Sequence, residues 1–159
     1  MSSPSSDSFR PAGAQTVTEV GQAVNVLAAA LDDRDLAGWL ACFMPDALVD
    51  FSAAGMRPCS PERFWELITA ADGNRIGGQH LLGNSVVRCR GKQAARAHTE
   101  YAMTSLSVAA SGRRVVTRVG GFYEDELVHT RVGWLFASRR AGVRWNTRDE
   151  IEDPAPSTH

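Results

Sequence analysis

The sequence predicts an α+β fold in which N-terminal helices pack on a strongly curved, mostly antiparallel sheet that encloses a pocket. Helix-period apolar residues fill the first half of the chain, and β-branched and aromatic runs separated by turns fill residues 78–145. The glycine pair Gly120-Gly121 inside one of these runs indicates a bend that curls the sheet. Because a chain of 159 residues buries roughly 70% of its surface in one core, we expect one cone-shaped domain.

Two helices are predicted before the first strand. Apolar residues recur at alternating three- and four-residue steps over residues 17–31, which forms one face of a helix that ends near Asp32. A second, shorter apolar stripe covers residues 36–43 and is stopped by Pro45. The run ALVDF, residues 47–51, then predicts the first strand.

A third helix and four long strands are predicted next. Ser60 supplies a capping hydroxyl, and Pro61 stands at the first helical position, where its missing N–H costs nothing. Gly73 ends this helix. Turns divide the rest of the domain into four antiparallel strands, and they fall at residues 90–92, 111–112 and 131–133.

The two ends of the chain have a different composition from the middle. Residues 1–14 are rich in Ser, Pro and Gly and hold one aromatic residue, so we expect a disordered N-terminal segment. Residues 151–159 are expected to form a disordered tail for the same reason. Residues 15–150 are therefore predicted to form the domain.

Charge and hydropathy exclude several classes of partner. A formal net charge of -1 supplies no basic field, so nucleic-acid binding is not expected. No apolar run approaches the ~20 residues of a membrane span, and the N-terminus has no stretch like that of a signal peptide. The sequence therefore predicts a cytoplasmic protein without a membrane partner.

A metal site is also not predicted. The three cysteines lie at wide spacings with no C-x-x-C pair, and the histidines and carboxylates show no metal-ligand spacing. We therefore expect reduced thiols and no metal.

His80 is the first candidate for acid–base chemistry. It lies in the run QHLLGN beside apolar residues, where a desolvated neutral imidazole would be available as a base near neutral pH. A purely structural histidine is an equally consistent interpretation.

Asp32 falls at the C-terminal end of the first helix, where the helix dipole disfavours a carboxylate, so a compensating group is expected. The alternative is a solvated carboxylate in an interhelix turn.

The segment ARAHTEY contains two further candidates. Alternation places His98 on one face of a strand with Arg96 and Glu100, and Tyr101 on the other face. Either His98 or Tyr101 is therefore expected to face the cavity. Tyr123 shares its face with apolar residues of the third long strand, which is more typical of a core residue than of a catalyst.

Six segments, taken in order, carry a family resemblance. They are LDDRDLAGWLACFMPDALVDFS, SPERFWELI, QHLLGN, RAHTEYA, GGFYEDELVHT and GWLFASRRAGVRW. This ordered set resembles the SnoaL-like group of the NTF2-like superfamily. The resemblance implies an NTF2-like cone with an apolar pocket, a homodimer, and small-molecule chemistry without metal or organic cofactor. Members include scytalone dehydratase, bile-acid dehydratases, ketosteroid isomerase and polyketide cyclases.

The resemblance also implies roles for individual residues. Asp32 and His80 match the aspartate–histidine pair of the scytalone and bile-acid dehydratases. His98 matches the second histidine of scytalone dehydratase, and Arg144 falls near an arginine of the bile-acid enzymes. Leu27 replaces the phenol that those dehydratases carry on the first helix. The sequence thus matches the aspartate–histidine pair of the family better than it matches the full residue set of any one member.

The sequence therefore predicts a cofactor-independent dehydratase. His80, oriented by Asp32, would remove a proton α or vinylogous to the carbonyl of a small hydrophobic hydroxylated compound, polyketide-like or steroid-like, in a secondary-metabolite pathway. Protonated His80, His98 or Tyr101 would supply the acid that releases water, although Tyr101 stands where the bile-acid enzymes have an aspartate. The predicted substrate-binding residues are Trp39, Phe51, Met56, Phe64, Tyr101, Tyr123, Trp134 and Arg144.

Two alternatives remain open at this stage. An isomerase or cyclase could use the same acid–base pair without losing water. A non-catalytic ligand-binding or subunit module could use the same fold, because fold does not fix function.

Overall fold

The computed structural model describes residues 8–71 and 73–151. These residues form three α-helices and one six-stranded sheet, which confirms the predicted α+β class. In chain order the elements are β1 (Arg10–Pro11), α1 (Ala14–Asp32), α2 (Leu36–Ala41), β2 (Phe43–Asp50), a 3-10 turn (Ser52–Ala54), α3 (Pro61–Ala71), β3 (Arg75–Arg90), β4 (Ala94–Val108), β5 (Arg114–Thr130) and β6 (Gly133–Ile151).

The sheet has the order β1-β3-β4-β5-β6-β2. The four long strands pair antiparallel with their neighbours, as the turn spacing predicts. β1 adds antiparallel to β3 at one edge, and β2 adds parallel to β6 at the other edge. The sheet is therefore mostly antiparallel, with one parallel pair that the sequence did not specify.

The helices cover the inner face of this sheet. The apolar stripe of α1 buries Val20, Val24 and Leu27, and the helix packs against β3. Helix α3 begins as predicted, because the Ser60 hydroxyl accepts a hydrogen bond from the backbone N–H of Arg63. The largest fully buried side chains of the core are Trp39, Phe64 and Phe136.

The second helix is shorter than the sequence predicts. Helix α2 ends at Ala41, and Phe43 is instead the first residue of β2, where it pairs with Phe136 of β6. Pro45 lies within β2, inside a break in the β2–β6 register. An edge strand tolerates proline because it pairs with a strand on one side only and does not need every backbone N–H for inter-strand hydrogen bonds.

The N-terminal prediction needs a correction for residues 8–14. Arg10 and Pro11 pair with β3, and Ala14 already begins α1. The aromatic residue of this segment is Phe9, and the centroid of its ring lies 4.3 Å from the guanidinium carbon of Arg96. This cation–π contact helps to hold the segment on the sheet. Residues 1–7 and 152–159, which carry the rest of the predicted disorder, lie outside the described residues.

The predicted bend is present in β5. The β5–β6 register shifts between Gly120 and Gly121. The indole of Trp145 lies where a Cβ of Gly120 would stand, and the carbonyl oxygen of Gly142 lies where a Cβ of Gly121 would stand. The missing side chains therefore allow β6 to approach β5 closely at the bulge.

Gly121→Ala is expected to destabilise the fold. The new methyl group would meet backbone of β6, which cannot move aside as a flexible side chain can, and overpacking of this kind costs about 1–3 kcal/mol. The measurement is the urea midpoint of unfolding. Gly77→Ala in β3 is the matched control, because no atom lies within 4 Å of a Cβ at that position. Equal midpoints for the two variants would contradict the close approach at Gly121.

Candidate active site

A cavity of about 640 Å³ lies between the helices and the inner face of the sheet. Ligand sites for small organic molecules have volumes in this range. Its apolar wall comes from helices α1 and α3, the segment after β2 and the inner faces of the long strands, and includes Leu31, Phe51, Met56, Phe64, Ile68, Met103, Val119 and Val143.

Asp32 and His80 meet at this cavity. The Asp32 carboxylate lies 2.6 Å, through Oδ1, from Nδ1 of His80, and its Oδ2 accepts a hydrogen bond of 2.7 Å from the His80 backbone N–H. One carboxylate therefore holds both the ring and the main chain of the histidine. Since a carboxylate accepts from the protonated nitrogen, Nδ1 carries the hydrogen and Nε2 keeps its lone pair.

The position of Asp32 at the end of α1 is now explained. The two hydrogen bonds from His80 stabilise the charge that the helix dipole disfavours. The guanidinium of Arg75 also donates to the backbone carbonyl of Asp32 over 3.2 Å, at the C-terminus of the helix. Gly78 makes room for Arg75, because a Cβ at Gly78 would collide with its guanidinium.

The environment keeps the His80 imidazole neutral. Burial lowers the pKa of His80 below its ordinary value of 6.5, while the hydrogen bond and the charge of Asp32 act in the opposite direction. The positive charges of Arg139 and Arg75 add to the lowering of this pKa. At neutral pH, His80 therefore presents a basic Nε2 in a site where the ring is only 9% exposed.

Two tyrosines extend the polar part of the site. The rings of Tyr101 and Tyr123 stack with centroids 4.3 Å apart, and the His80 ring lies 6.1 Å and 6.5 Å from them. Burial raises the pKa of both phenols, so both hydroxyls stay protonated and can donate hydrogen bonds. Both residues line the cavity. Strand alternation predicts that either Tyr101 or His98 faces the cavity, and the structure shows that Tyr101 does.

A buried ion pair supports the tyrosines, and neither of its members is among the site residues that the sequence predicts. Arg139 donates two hydrogen bonds to Asp125, of 2.7 Å and 2.8 Å, and its guanidinium lies 4.1 Å from the centroid of the Tyr123 ring. Asp125 is 1% exposed and Arg139 is 2% exposed. Alternation along β5 could have indicated this, because Asp125 shares the inner face with Tyr123 and Leu127.

Two predicted site residues lie on the opposite face of the sheet. His98 stacks on Phe122 with centroids 5.0 Å apart, and its Nε2 lies 3.2 Å from the Glu100 carboxylate. Arg144 pairs with the same carboxylate over 2.7 Å. Neither side chain lines the cavity, because strand alternation and the bulge in β5 place both on the outer face.

Two predicted substrate-binding tryptophans belong to the core instead. Trp39 is fully buried against Phe64, and its indole N–H donates to the Pro61 carbonyl over 3.1 Å. The Trp134 indole N–H donates to Glu19 of α1 over 3.1 Å. The other five predicted substrate-binding residues line the cavity, namely Phe51, Met56, Phe64, Tyr101 and Tyr123.

Within residues 8–71 and 73–151, no group of three or more His, Cys, Asp or Glu side chains is arranged to hold a metal ion. None of the helices in that same part of the chain is both long and apolar enough to cross a membrane.

Comparison with known sequences identifies relatives. The sequence model described as "SnoaL-like domain" matches residues 13–140. The uncharacterised protein Rv2910c of Mycobacterium tuberculosis is 28% identical over 121 residues, which is 76% of this chain and 80% of that protein. Residues 13–140 contain the three helices and strands β2 to β5, with Asp32 and His80 among them.

Comparison with solved structures gives the same fold. A scytalone dehydratase-like protein from Novosphingobium aromaticivorans aligns with a TM-score of 0.75 and 14% identity, over 91% of this chain and 95% of that one. The Kfla4162 protein from Kribbella flavida aligns with a TM-score of 0.73 and 21% identity, over 85% and 95%. A hexachlorocyclohexane dehydrochlorinase (LinA) aligns with a TM-score of 0.70 and 13% identity, over 91% and 96%.

Proposed function

Since the chain belongs to the SnoaL-like domain family, we propose that it is a cofactor-independent dehydratase that acts on a hydrophobic hydroxylated carbonyl compound. The observation that carries this proposal is the contact of 2.6 Å between Asp32 and Nδ1 of His80 at the wall of the cavity. A buried imidazole held in one tautomer by a carboxylate is suited to take a proton through Nε2.

The first step is proton removal from carbon. Nε2 of His80 takes the proton α or vinylogous to the carbonyl, and the electron pair of the broken C–H bond passes into an enolate. Asp32 stabilises the imidazolium that forms. The phenols of Tyr101 and Tyr123 line the same cavity as protonated donors, so we assign them to the enolate oxygen.

The second step is loss of water. The enolate electrons form the new C=C bond as the C–O bond of the hydroxyl group breaks, and the leaving oxygen takes a proton to become water. Protonated His80 supplies that proton and returns to its neutral form, so no oxidant or reductant is needed. Tyr101 is the second possible acid and would then be reprotonated by His80. The outer-face position of His98 removes it from this role.

The names of two structural neighbours are consistent with an elimination. A dehydratase and a dehydrochlorinase both remove a proton and a leaving group from a carbon skeleton. The cavity volume of about 640 Å³ and its apolar wall support a substrate of a few fused rings, polyketide-like or steroid-like. The assignment of such a substrate to a secondary-metabolite pathway rests on the family resemblance alone.

An isomerase or cyclase remains the alternative because the same base can return its proton to the substrate. Product mass separates the two reactions, since dehydration lowers it by one water and isomerisation leaves it unchanged.

The predicted homodimer and cytoplasmic location also remain predictions. Sedimentation equilibrium tests the first of these, and the exposed Leu81 and Trp145 on the sheet are consistent with it.

Asp32→Asn is expected to lower the pKa of His80 further. The substitution removes the negative charge that opposes the effect of burial, while the amide oxygen can still accept from Nδ1–H. The measurement is an imidazole NMR titration of both proteins, with His80 assigned by mutation. An unchanged His80 curve would contradict the coupling and favour a non-catalytic binding module.

A further inference from the structure

The cavity has a polar row next to the row that holds His80. Sheet register aligns His80 with Met103 and Val119. Among these three residues of the first row, His80 is the one that is polar. One step further along the strands, Gly78 aligns with Ser105, Ser105 with Thr117, and Thr117 with Arg148 of β6. All four members of this second row line the cavity. The second row therefore offers two hydroxyls and a guanidinium to a bound molecule.

The charge of the cavity differs from that of the whole chain. Among the described residues that line it, the guanidinium groups of Arg34, Arg75 and Arg148 are opposed by one carboxylate, that of Asp32. That carboxylate is already engaged by His80. In a chain with a formal net charge of -1, the lining of the cavity thus carries more basic than acidic side chains.

Arg148 is the member of this group that is placed to meet a ligand. The acidic residues beside it in β6 are directed to other partners: Asp149 pairs with Arg118 over 3.2 Å, and Glu150 pairs with Arg113 over 3.2 Å. Arg75, in contrast, already donates to the Asp32 carbonyl. Arg148 also lies beyond residues 13–140, the part of the chain that the family model matches.

We propose that the substrate carries a carboxylate and that Arg148, with the hydroxyls of Ser105 and Thr117, binds it. This inference rests on the proposed function, because it names the substrate class of the same cavity. Guanidinium and hydroxyl donors recognise a carboxylate through charge-assisted hydrogen bonds. Phosphate monoesters share this chemistry but carry about two negative charges at neutral pH, whereas the single guanidinium of the row matches the one charge of a carboxylate.

The spacing of the two rows fits a molecule with two functional ends. His80 on β3 and Arg148 on β6 are separated by three strand spacings, about 14 Å between the strand axes, and both residues line the cavity. A ring system anchored at Arg148 by its carboxylate would present a fixed carbon to Nε2 of His80. The anchor therefore orients the reactive C–H bond as well as adding affinity.

The test compares 2-naphthoate with 2-naphthamide, two probes of the same shape that differ in charge. Binding to the full chain is followed by NMR at the His80 imidazole and the Thr117 amide, so that only binding in the cavity is counted. Wild-type protein is expected to bind 2-naphthoate about 10- to 100-fold more tightly than 2-naphthamide. Arg148→Gln is expected to remove this preference and leave 2-naphthamide binding unchanged, whereas Arg148→Lys keeps part of it.

Arg131→Gln is the matched control. Arg131 lies in the turn between β5 and β6, at the opposite end of the hairpin from Arg148, and does not line the cavity. This variant is expected to keep the full preference. Equal affinities of wild type for the two probes, undetectable 2-naphthoate binding at millimolar concentration, or an undiminished preference in Arg148→Gln would each overturn the proposal. Because no reaction is involved, these outcomes leave the acid–base proposal for Asp32 and His80 intact.

Discussion

His80→Ala is expected to lower kcat by about 10²–10⁴-fold for a fused-ring hydroxyketone that the wild-type protein dehydrates. The variant loses the Nε2 lone pair that takes the proton, but the apolar wall and the tyrosines that would bind the substrate remain. The change is therefore expected in kcat more than in KM. The measurement is the rate of formation of a product lighter by one water, followed by mass spectrometry.

His98→Ala is the matched control for this experiment. It removes the same side chain from the same sheet, but from the outer face, where the ring stacks on Phe122. Its kcat is expected to equal that of the wild type. Equal losses in the two variants would mean that the inner-face imidazole has no special role, and undiminished turnover in His80→Ala would contradict the mechanism.

The pH dependence of this activity follows from the same burial. The pKa of His80 lies below 6.5 in the folded protein, so the basic form persists as the pH falls through that value. In the free enzyme, the acid limb of kcat/KM reports this group. The limb is therefore expected below pH 6.5, and in Asp32→Asn it is expected to move further toward low pH.

The sequence predicts the frame of the site because its signals are local. Apolar periodicity locates α1 and its end at Asp32, and the β-prone runs locate the four long strands. Alternation within ARAHTEY also separates His98 from Tyr101 correctly. Alternation alone cannot decide which of the two faces the helices, since that depends on the twist and register of the entire sheet.

The errors concern long-range packing. An apolar aromatic residue satisfies a pocket wall and a core equally well, so the sequence could not separate Trp39 and Trp134 from Phe51 and Phe64. The resemblance implies a site role for Arg144, but its guanidinium pairs with Glu100 on the outer face. The bulge between Gly120 and Gly121 shifts the β5–β6 register, so segment order does not determine the face on which a β6 residue lies.

The ion pair of Asp125 and Arg139 illustrates the same difficulty. Each residue alone is typical of a protein surface, and their burial becomes explicable only when β5 and β6 are paired. Arg139 and Arg140 are adjacent in sequence yet lie on opposite faces: Arg139 pairs with buried Asp125, and Arg140 pairs with Glu124 on the outer face, where both side chains are about half exposed. The two ion pairs join the same two strands and differ in burial, so comparing them measures the effect of burial on the stability that an ion pair provides.

Arg139→Met is expected to destabilise the protein by about 3–5 kcal/mol, because it leaves the buried Asp125 carboxylate without a partner. Arg140→Met, its control, is expected to cost about 1 kcal/mol or less, since water solvates Glu124 when the exposed pair is broken. Both free energies of unfolding are measured by urea denaturation at neutral pH.

The double variant Asp125→Leu/Arg139→Met separates the strength of the pair from the cost of an unpaired charge. Replacing both partners with apolar side chains removes the orphaned carboxylate, so the double variant is expected to be more stable than Arg139→Met alone. It also removes the guanidinium from the face of Tyr123, which packs on Tyr101 beside His80. A double variant that regains stability but keeps altered aromatic NMR shifts at Tyr101 would show that the ion pair holds the tyrosine stack in place. A double variant no more stable than Arg139→Met would instead show that the unpaired Asp125 charge is not the source of the loss.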